Sequence, residues 1–147
     1  MLLLARSGSR DGVDRAATGV RSDGRYLTAS MLISVIIPTR DRPLYLAEAV
    51  ASVLSQSHSE FELIIVNDGA MPLPDFDDPR IRVLNSGQSG AVPARNLGIA
   101  AAQGEAIAWL DDDDVWTDVD FLKTCTKQFN QGSDFNFGDG ALVFPDG

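Results

Sequence analysis

Along most of the chain, short apolar runs alternate with segments whose apolar residues recur every three or four positions. Short runs rich in β-branched residues are typical of buried parallel strands, and the longer spacing is typical of helices. Four strands are predicted, at residues 32–37, 61–66, 80–84 and 105–110. Three helices are predicted, at residues 43–56, at residues 91–102 and from Thr117 onward. Because strands and helices alternate, we expect an α/β fold with a mainly parallel sheet and helices on both faces.

The spacing within the predicted helices indicates which side chains they bury. Pro43 suits the first turn of the first helix. The inward positions of that helix are expected at Leu44, Ala47, Val50, Ala51 and Leu54. Gly104 is expected to end the second helix. The third helix is expected to be capped by Thr117 and to turn three apolar side chains inward, those of Val119, Leu122 and Phe129.

The two ends of the chain differ from this pattern. Residues 1–30 are rich in Gly, Ser, Arg and Asp and show no period of 2 or 3.6, so we expect a disordered leader there. Met31 directly precedes the first strand and is an alternative start of translation. Residues 31–147 are expected to form one domain. Its tail, Ser133 to Phe144, is expected to contain two short strands around Gly138 to Gly140.

Composition allows a packed core and favours a cytoplasmic location. Hydrophobic residues make up 44% of the 147 residues and charged residues 22%, which are ordinary values for a globular domain. No apolar run approaches the ~20 residues that a membrane-spanning helix needs. The apolar opening, Met1 to Ala5, is shorter than the roughly 7–15 residues of a secretory signal core. Cys125 is the only cysteine, so an internal disulfide is excluded.

The charge of the chain limits its partners. The formal net charge is −9, which argues against a nucleic-acid-binding protein because such proteins carry a basic surface. Residues 1–30 hold five Arg and three Asp, whereas the rest of the chain holds seven Lys or Arg and eighteen Asp or Glu. An acidic domain that binds a phosphate ligand needs a cation between them.

Polar clusters follow three of the predicted strands. They are Pro38 to Asp41, Asn67 to Gly69, and Asp111 to Asp114. In open α/β sheets, ligands bind outside the carboxyl ends of the strands. The three clusters are therefore expected to meet in one shared site.

The run of four aspartates suggests a metal site. Like charges held close together repel, and a divalent Mg²⁺ or Mn²⁺ with oxygen ligands and substrate phosphates would relieve that repulsion. Asp111 and Asp113 can point the same way because alternate residues of an extended segment share a direction. The alternative is an acidic turn that caps the next helix. A calcium-hand loop is disfavoured because its sixth position, counted from Asp111, is Trp116 rather than Gly.

Other phosphate-binding motifs are missing from the sequence. The segment Pro38 to Pro43 after the first strand contains no glycine, so a dinucleotide-binding Gly-x-Gly-x-x-Gly motif is excluded there, and no phosphate loop of the Gly-x-x-x-x-Gly-Lys type is present. Metal together with Arg is the remaining way to bind phosphate. Asp68 could accept the N–H of a uracil or thymine ring, bind a ribose hydroxyl, or form part of a turn. Arg95 could reach a phosphate or pair with a carboxylate.

Five segments resemble, in order, the sequence motifs of family-2 glycosyltransferases. They are SVIIPTRDRP at 34–43, AVASVLSQ at 49–56, ELIIVNDG at 62–69, GAVPARNLGI at 90–99 and AIAWLDDDDVW at 106–116. The last of them contains the family's Asp-x-Asp motif, and the resemblance covers residues 32–129.

The resemblance implies a Rossmann-like GT-A fold, a nucleotide-diphosphate sugar as donor, and Mn²⁺ or Mg²⁺ as cofactor. It implies inverting, metal-dependent transfer of a sugar to the hydroxyl of a saccharide, lipid-linked or other acceptor. The implied metal ligands are Asp113 and Asp111. The residues implied to bind the nucleotide sugar are Pro38 and Thr39 at the nucleoside, Arg40, Asp68 at the base, Arg95 and Asn96 in the wall, Asp111, and Asp112 near the ribose or sugar.

The sequence departs from the family pattern at Asp41, Asn67 and Ala70, where Asn, Asp and Ser are common. The chain also ends at Gly147, before the part that in the family brings the acceptor site and the catalytic base, so the fold is expected to be truncated after the metal-binding motif and no catalytic residue is assigned. The alternative function is a non-catalytic or degenerate nucleotide-sugar-binding module. An incomplete domain exposes apolar surface, so association with itself or with a complementary chain is expected.

Overall fold

The computed structural model describes residues 31–131 in full and the backbone of residues 3–6 and 135–137. The strands are β1 (Leu3–Arg6), β2 (Ile33–Thr39), β3 (Phe61–Asn67), β4 (Ile81–Asn85), β5 (Ala106–Trp109) and β6 (Phe135–Phe137). The helices are α1 (Pro43–Leu54), α2 (Ala91–Ala101) and α3 (Phe121–Asn130).

The strands form one sheet in the order β4-β3-β2-β5-β1-β6. β2 lies at its centre and runs parallel to β3 and β5, and β4 runs parallel to β3. The register places Ile37 opposite Ile65, and Ile36 opposite both Ile64 and Trp109. β1 is antiparallel to both β5 and β6. The predicted α/β fold with a mainly parallel sheet is confirmed.

Alternate residues of β2 enter two separate apolar cores. Ile33, Val35 and Ile37 pack with α1 and α3 on one face of the sheet. Ile36 packs with Ala94 of α2 on the other face. The prediction of helices on both faces is therefore correct. Among the described residues, no helix has the length and apolar character needed to cross a bilayer.

Two glycines allow close packing against β2. A Cβ atom on Gly98 would lie 2.5 Å from Cγ2 of the buried Ile36, so α2 approaches the sheet closely at this point. A Cβ atom on Gly104 would lie 2.6 Å from the backbone nitrogen of Ser34. Gly104 was expected to end α2, but the helix is capped at Ala102, which has an extended backbone. Gly104 instead provides room for the chain to enter β5 beside β2.

The buried faces of two helices differ from the prediction. α1 buries Leu46, Ala49, Val50 and Val53, whereas Leu44 is 82% exposed. The helix is apolar on several sides, so spacing alone did not determine which side faces the sheet. α3 starts at Phe121, after Asp120, and the expected Thr117 cap is wrong. Val119 therefore precedes the helix and is exposed, while Leu122 and Phe129 are buried as expected.

The chain ends differ from the expectation in part. Leu3–Arg6 forms β1, so the expectation of disorder is wrong for these four residues. The pairing of β1 with β5 covers the edge that β5 would otherwise leave open. Residues 1–2 and 7–30 lie outside the described part, as does the expected turn at 138–140. One of the two expected tail strands, Phe135–Phe137, is present.

Candidate functional site

The carboxyl ends of β2, β3 and β5 meet at one edge of the sheet, and a cavity of about 450 Å³ opens there. We call it the site cavity. Its lining includes residues from all three predicted polar clusters and from the start of α2. The lining residues are Pro38, Thr39, Arg40, Arg42, Asp68, Ala91, Arg95, Asp111, Asp112 and Asp113. The expected convergence of the three clusters is therefore present.

Asp68 connects the ends of β3 and β4 to the start of α2. Its Oδ1 accepts a hydrogen bond from the hydroxyl of Ser86 at 2.6 Å, and both carboxylate oxygens lie 3.1 Å from the backbone nitrogen of Gly90. Arg40 Nη1 lies 3.5 Å from Oδ2. The Ser86 hydrogen bond lowers the pKa of Asp68 most strongly, burial opposes this, and the Gly90 and Ser89 amides and Arg40 lower the pKa further. Asp68 is thus a buried but ionised acceptor at the cavity wall.

The turn after β3 does not depend on Asp68. Asn67 Oδ1 accepts a hydrogen bond from the backbone nitrogen of Gly69 at 2.9 Å, which is the side-chain-to-backbone bond of an Asx turn. Since Asn67 stabilises the turn, the carboxylate of Asp68 is directed to other partners. The turn therefore does not require the side chain of Asp68, and the alternative in which Asp68 only forms part of a turn is not needed.

Asp112 is the most buried aspartate of the acidic run. The residue is 6% exposed, and its Oδ2 accepts a hydrogen bond from Thr39 Oγ1 at 2.7 Å. Arg42 Nη1 lies 3.4 Å from its Oδ1. These contacts tie the end of β2 to the segment after β5, across 73 positions of sequence. Asp112 therefore fixes the conformation of the acidic run.

Asp111 and Asp113 form more exposed ion pairs. Asp111 Oδ1 lies 2.9 Å from Arg95 Nη2, and Asp113 Oδ2 lies 2.8 Å from Arg42 Nη1. The two carboxylate side chains are 41% and 51% exposed. The charges of Asp112 and then Asp113 raise the pKa of Arg42. Exposed pairs of this kind contribute little to stability, so their carboxylates are available to a ligand.

The carboxylates of the site cavity fit a cation whose remaining ligands come from a bound substrate and water. No group of three or more His, Cys, Asp or Glu able to hold a metal is found among residues 31–131. Mg²⁺ and similar hard cations are often bound by one or two carboxylates, with substrate phosphates and water completing the shell. Asp111 and Asp113 offer two partly exposed carboxylates in the same cavity. They fit such a shared site, and an all-protein cage is not needed.

Asp41 joins the loop after β2 to the loop after β3. Its Oδ1 accepts hydrogen bonds from the backbone nitrogens of Ala70 and Met71, each at 2.8 Å. Its φ of 56° lies in the left-handed region, which Asp and Asn enter more readily than most residues. A Cβ atom on Gly69 would lie 2.5 Å from the Asp41 carboxylate, so only glycine fits there without rearrangement.

Most predicted site residues line the cavity, and one does not. Asn96 is exposed and is absent from the lining, because it points away from the α2 face that carries Arg95. Arg42 and Ala91 line the cavity but are not among the site residues predicted from the sequence. Arg42 lies in the SVIIPTRDRP segment, directly after the predicted cluster Pro38 to Asp41, so its position in the sequence could have indicated that it lies at the site. Ala91 carries no chemical signal in sequence.

Four further side chains pack against, or form hydrogen bonds with, the rest of the fold. His58 Nε2 lies 2.9 Å from the carbonyl oxygen of Met31 and 3.0 Å from that of Glu60. Trp109 packs against the α2-side core, and Trp116 stacks with Phe121 at a centroid distance of 5.2 Å. Cys125 lies on α3 and is buried.

The sequence matches the model of Glycosyl transferase family 2 over residues 34–146. The chain belongs to this family. Among curated relatives, a putative colanic acid biosynthesis glycosyl transferase of Escherichia coli is 42% identical over 94 aligned residues, and the match covers 58% of this chain and 34% of that protein. A UDP-Glc:alpha-D-GlcNAc-diphosphoundecaprenol beta-1,3-glucosyltransferase of Escherichia coli is 34% identical over 118 residues, 76% of this chain and 47% of that protein. The chain thus spans less than half the length of these relatives.

Solved glycosyltransferase structures share the fold of this family-2 chain. S. aureus TarS 1-349 matches with a TM-score of 0.59 and 24% identity over 69% of this chain and 33% of that one. A mannosyltransferase of Pyrobaculum calidifontis, in complex with GDP-Man and Mn²⁺, matches with a TM-score of 0.55 and 20% identity over 65% and 31% of the two chains. The predicted GT-A fold is confirmed by these neighbours.

Proposed function

We propose that this chain binds the nucleotide-diphosphate sugar donor of a metal-dependent, inverting glycosyltransferase, which transfers the sugar to an acceptor hydroxyl. The observation that carries the proposal is that Asp68 and Asp111 to Asp113 line one cavity, together with three arginines. In a nucleotide-diphosphate sugar, the diphosphate carries two negative charges and lies between the sugar and the nucleoside with its aromatic base. The site cavity has the buried carboxylate of Asp68 at one wall, and the arginines and the carboxylates of the acidic run at another.

The roles of the residues follow from their contacts. Asp68, ionised and pinned by Ser86 and Gly90, would accept an N–H of the base or a ribose hydroxyl, and Pro38 and Thr39 would line the nucleoside pocket. Asp112, held by Thr39, would fix the turn beside the ribose or sugar. Asn96 lies outside the cavity lining, so we leave it out of the proposed site.

The diphosphate would lie beside the exposed aspartates and arginines. Asp113 and Asp111 would hold Mn²⁺ or Mg²⁺, which when bound neutralises the charge that develops on the leaving diphosphate. Arg95 would be released from Asp111 and donate to a phosphate oxygen, since its pair with Asp111 is more than two-fifths exposed. Arg40, whose side chain is 59% exposed, would also be able to reach a phosphate.

Calorimetry with UDP, GDP and dTDP, each with and without Mn²⁺, tests the proposal. We expect one of the three to bind in the micromolar to millimolar range, with Mn²⁺ strengthening the binding. Asp113→Ala should remove the Mn²⁺-dependent part, while Asp114→Ala, an adjacent change of equal charge outside the cavity lining, should keep most of it. Equal binding by parent and Asp113→Ala would refute the metal assignment.

The alternative function is a nucleotide-sugar-binding module without catalysis. Transfer assays with a panel of sugar nucleotides and saccharide or lipid-linked acceptors separate the two. Donor binding together with transfer supports the enzyme, and binding without transfer by this chain supports the module. The catalytic base stays unassigned, and self-association and the cytoplasmic location stay predictions.

A further inference from the structure

Arg42 contacts two aspartates of the acidic run with a single nitrogen. Its Nη1 lies 2.8 Å from Asp113 Oδ2 and 3.4 Å from Asp112 Oδ1. Asp112 is also bound by Thr39 and has a side chain only 9% exposed, so it cannot follow a moving partner. Asp113 is 51% exposed. Arg42 therefore occupies the position in which a cation would approach Asp113.

We propose that Arg42 competes with the divalent cation for Asp113 and, once displaced, donates to the diphosphate, so that metal and donor strengthen each other's binding. This inference rests on the proposed function and adds a ligand-binding residue to the site. With no donor bound, the guanidinium neutralises Asp113 and makes the metal alone bind weakly. With the donor bound, the same guanidinium gains a phosphate partner and the competition ends.

The surroundings of Arg42 allow this movement. The residue directly precedes α1, and its carbonyl oxygen accepts a hydrogen bond from the backbone nitrogen of Leu46 at 3.0 Å. Its backbone is thus held by the helix, whereas its side chain is 52% exposed. The side chain can change partner without disturbing the core, because exposed ion pairs are weak.

Coulomb's law gives the expected size of the change in Mn²⁺ affinity. A divalent cation and a guanidinium about 6 Å apart in water repel enough to change a binding constant roughly tenfold. Salt screens such exposed charges. We therefore expect removal of the Arg42 charge to tighten Mn²⁺ binding about three- to tenfold in dilute buffer, and by less in concentrated salt.

The test measures Mn²⁺ binding without nucleotide, by calorimetry or by the electron paramagnetic resonance signal of free Mn²⁺. Arg42→Met is compared with the parent, with Arg42→Lys, which keeps the charge, and with Lys123→Met. Lys123 pairs with Asp120 on α3 and does not line the site cavity, so this control makes the same change in net charge elsewhere. We expect tighter binding for Arg42→Met and changes of about twofold or less for the other two variants.

The second half of the test adds UDP, or the nucleotide preferred by the parent, at saturating Mn²⁺. Arg42→Met should then bind the nucleotide about five- to tenfold more weakly, so the substitution has opposite effects on the two ligands. If Arg42→Met binds Mn²⁺ no more tightly than Lys123→Met, the competition is refuted while the proposed metal site stands. An unchanged nucleotide affinity refutes the coupling. If neither parent nor variant binds Mn²⁺, both the competition and the proposed metal site are refuted.

Discussion

Asp41 links the loop after β2 to the loop after β3. Substitutions of this residue should separate the effect of its hydrogen bonds on stability from the effect of backbone strain. Asp41 Oδ1 accepts two backbone hydrogen bonds, and φ at Asp41 is 56°. Asp41→Ala loses both bonds, worth about 0.5–1.5 kcal/mol each, and places alanine in the left-handed region at a cost of about 1–2 kcal/mol. We expect a loss of about 2–5 kcal/mol in the free energy of unfolding.

Two further variants separate these contributions. Asp41→Asn keeps the accepting oxygen and a side chain that tolerates the left-handed region, so it should stay within about 1 kcal/mol of the parent. Asp41→Gly loses the hydrogen bonds without the strain, so its stability should fall between those of the Asn and Ala variants.

Urea unfolding, followed by circular dichroism, measures this series. A lower midpoint with an unchanged slope is expected for Asp41→Ala. A free energy of unfolding for Asp41→Ala within about 0.5 kcal/mol of the parent's, or above that of Asp41→Gly, would contradict these expectations. Nucleotide affinity measured on the same variants should fall in the same order, because the loops that Asp41 joins carry Arg40 and Asp68.

Three other substitutions test the packing and the buried polar groups. Gly98→Ala should destabilise the chain by about 2 kcal/mol, since the clash with Ile36 outweighs the gain in helix propensity; a stability at or above the parent's would contradict this. Thr39→Val should cost about 1–3 kcal/mol because Asp112 loses its buried donor, whereas Thr39→Ser should retain most of the stability in the same urea assay. Burial, and after it the charge of Asp118, raises the pKa of Cys125 to about 11, so alkylation by iodoacetamide should be slow at pH 8 in the native chain and fast in urea. As pH rises, the thiol of the unfolded chain ionises before the thiol of the native chain. The free energy of unfolding should therefore fall between about pH 9 and 11, and this fall should be absent in Cys125→Ala.

Much of the sheet and the location of the site were predictable from sequence because they depend on local patterns. The runs before Pro38, Asn67 and Asp111 are apolar enough to predict buried strands, and parallel strands bring their carboxyl ends to one edge. Asp68 and Asp111, which follow two of these strands, are therefore expected at the same edge of the sheet.

The remaining features depend on contacts between distant parts of the chain. Arg42 meets Asp113 across 71 positions, and no local pattern connects an arginine before a helix to an aspartate after another strand. Arg95 and Asn96 are neighbours in sequence, yet successive residues of a helix point about 100° apart, so only Arg95 lines the cavity. Likewise, β1 pairs with β5 about a hundred residues later in the chain, and a strand of only four residues gives little indication of its partner.

The proposed site places a metal ion at Asp113 and a base near Asp68 in one cavity. Paramagnetic broadening of backbone amide signals by trace Mn²⁺, recorded by NMR in the presence of the bound nucleotide, tests it most directly. We expect the strongest broadening at Asp111 to Asp114 and at Arg42, and little at Arg80, which lies before β4 at the opposite end of strands roughly 20 Å long. Strong broadening around Arg80, with the aspartate signals unchanged, would contradict it.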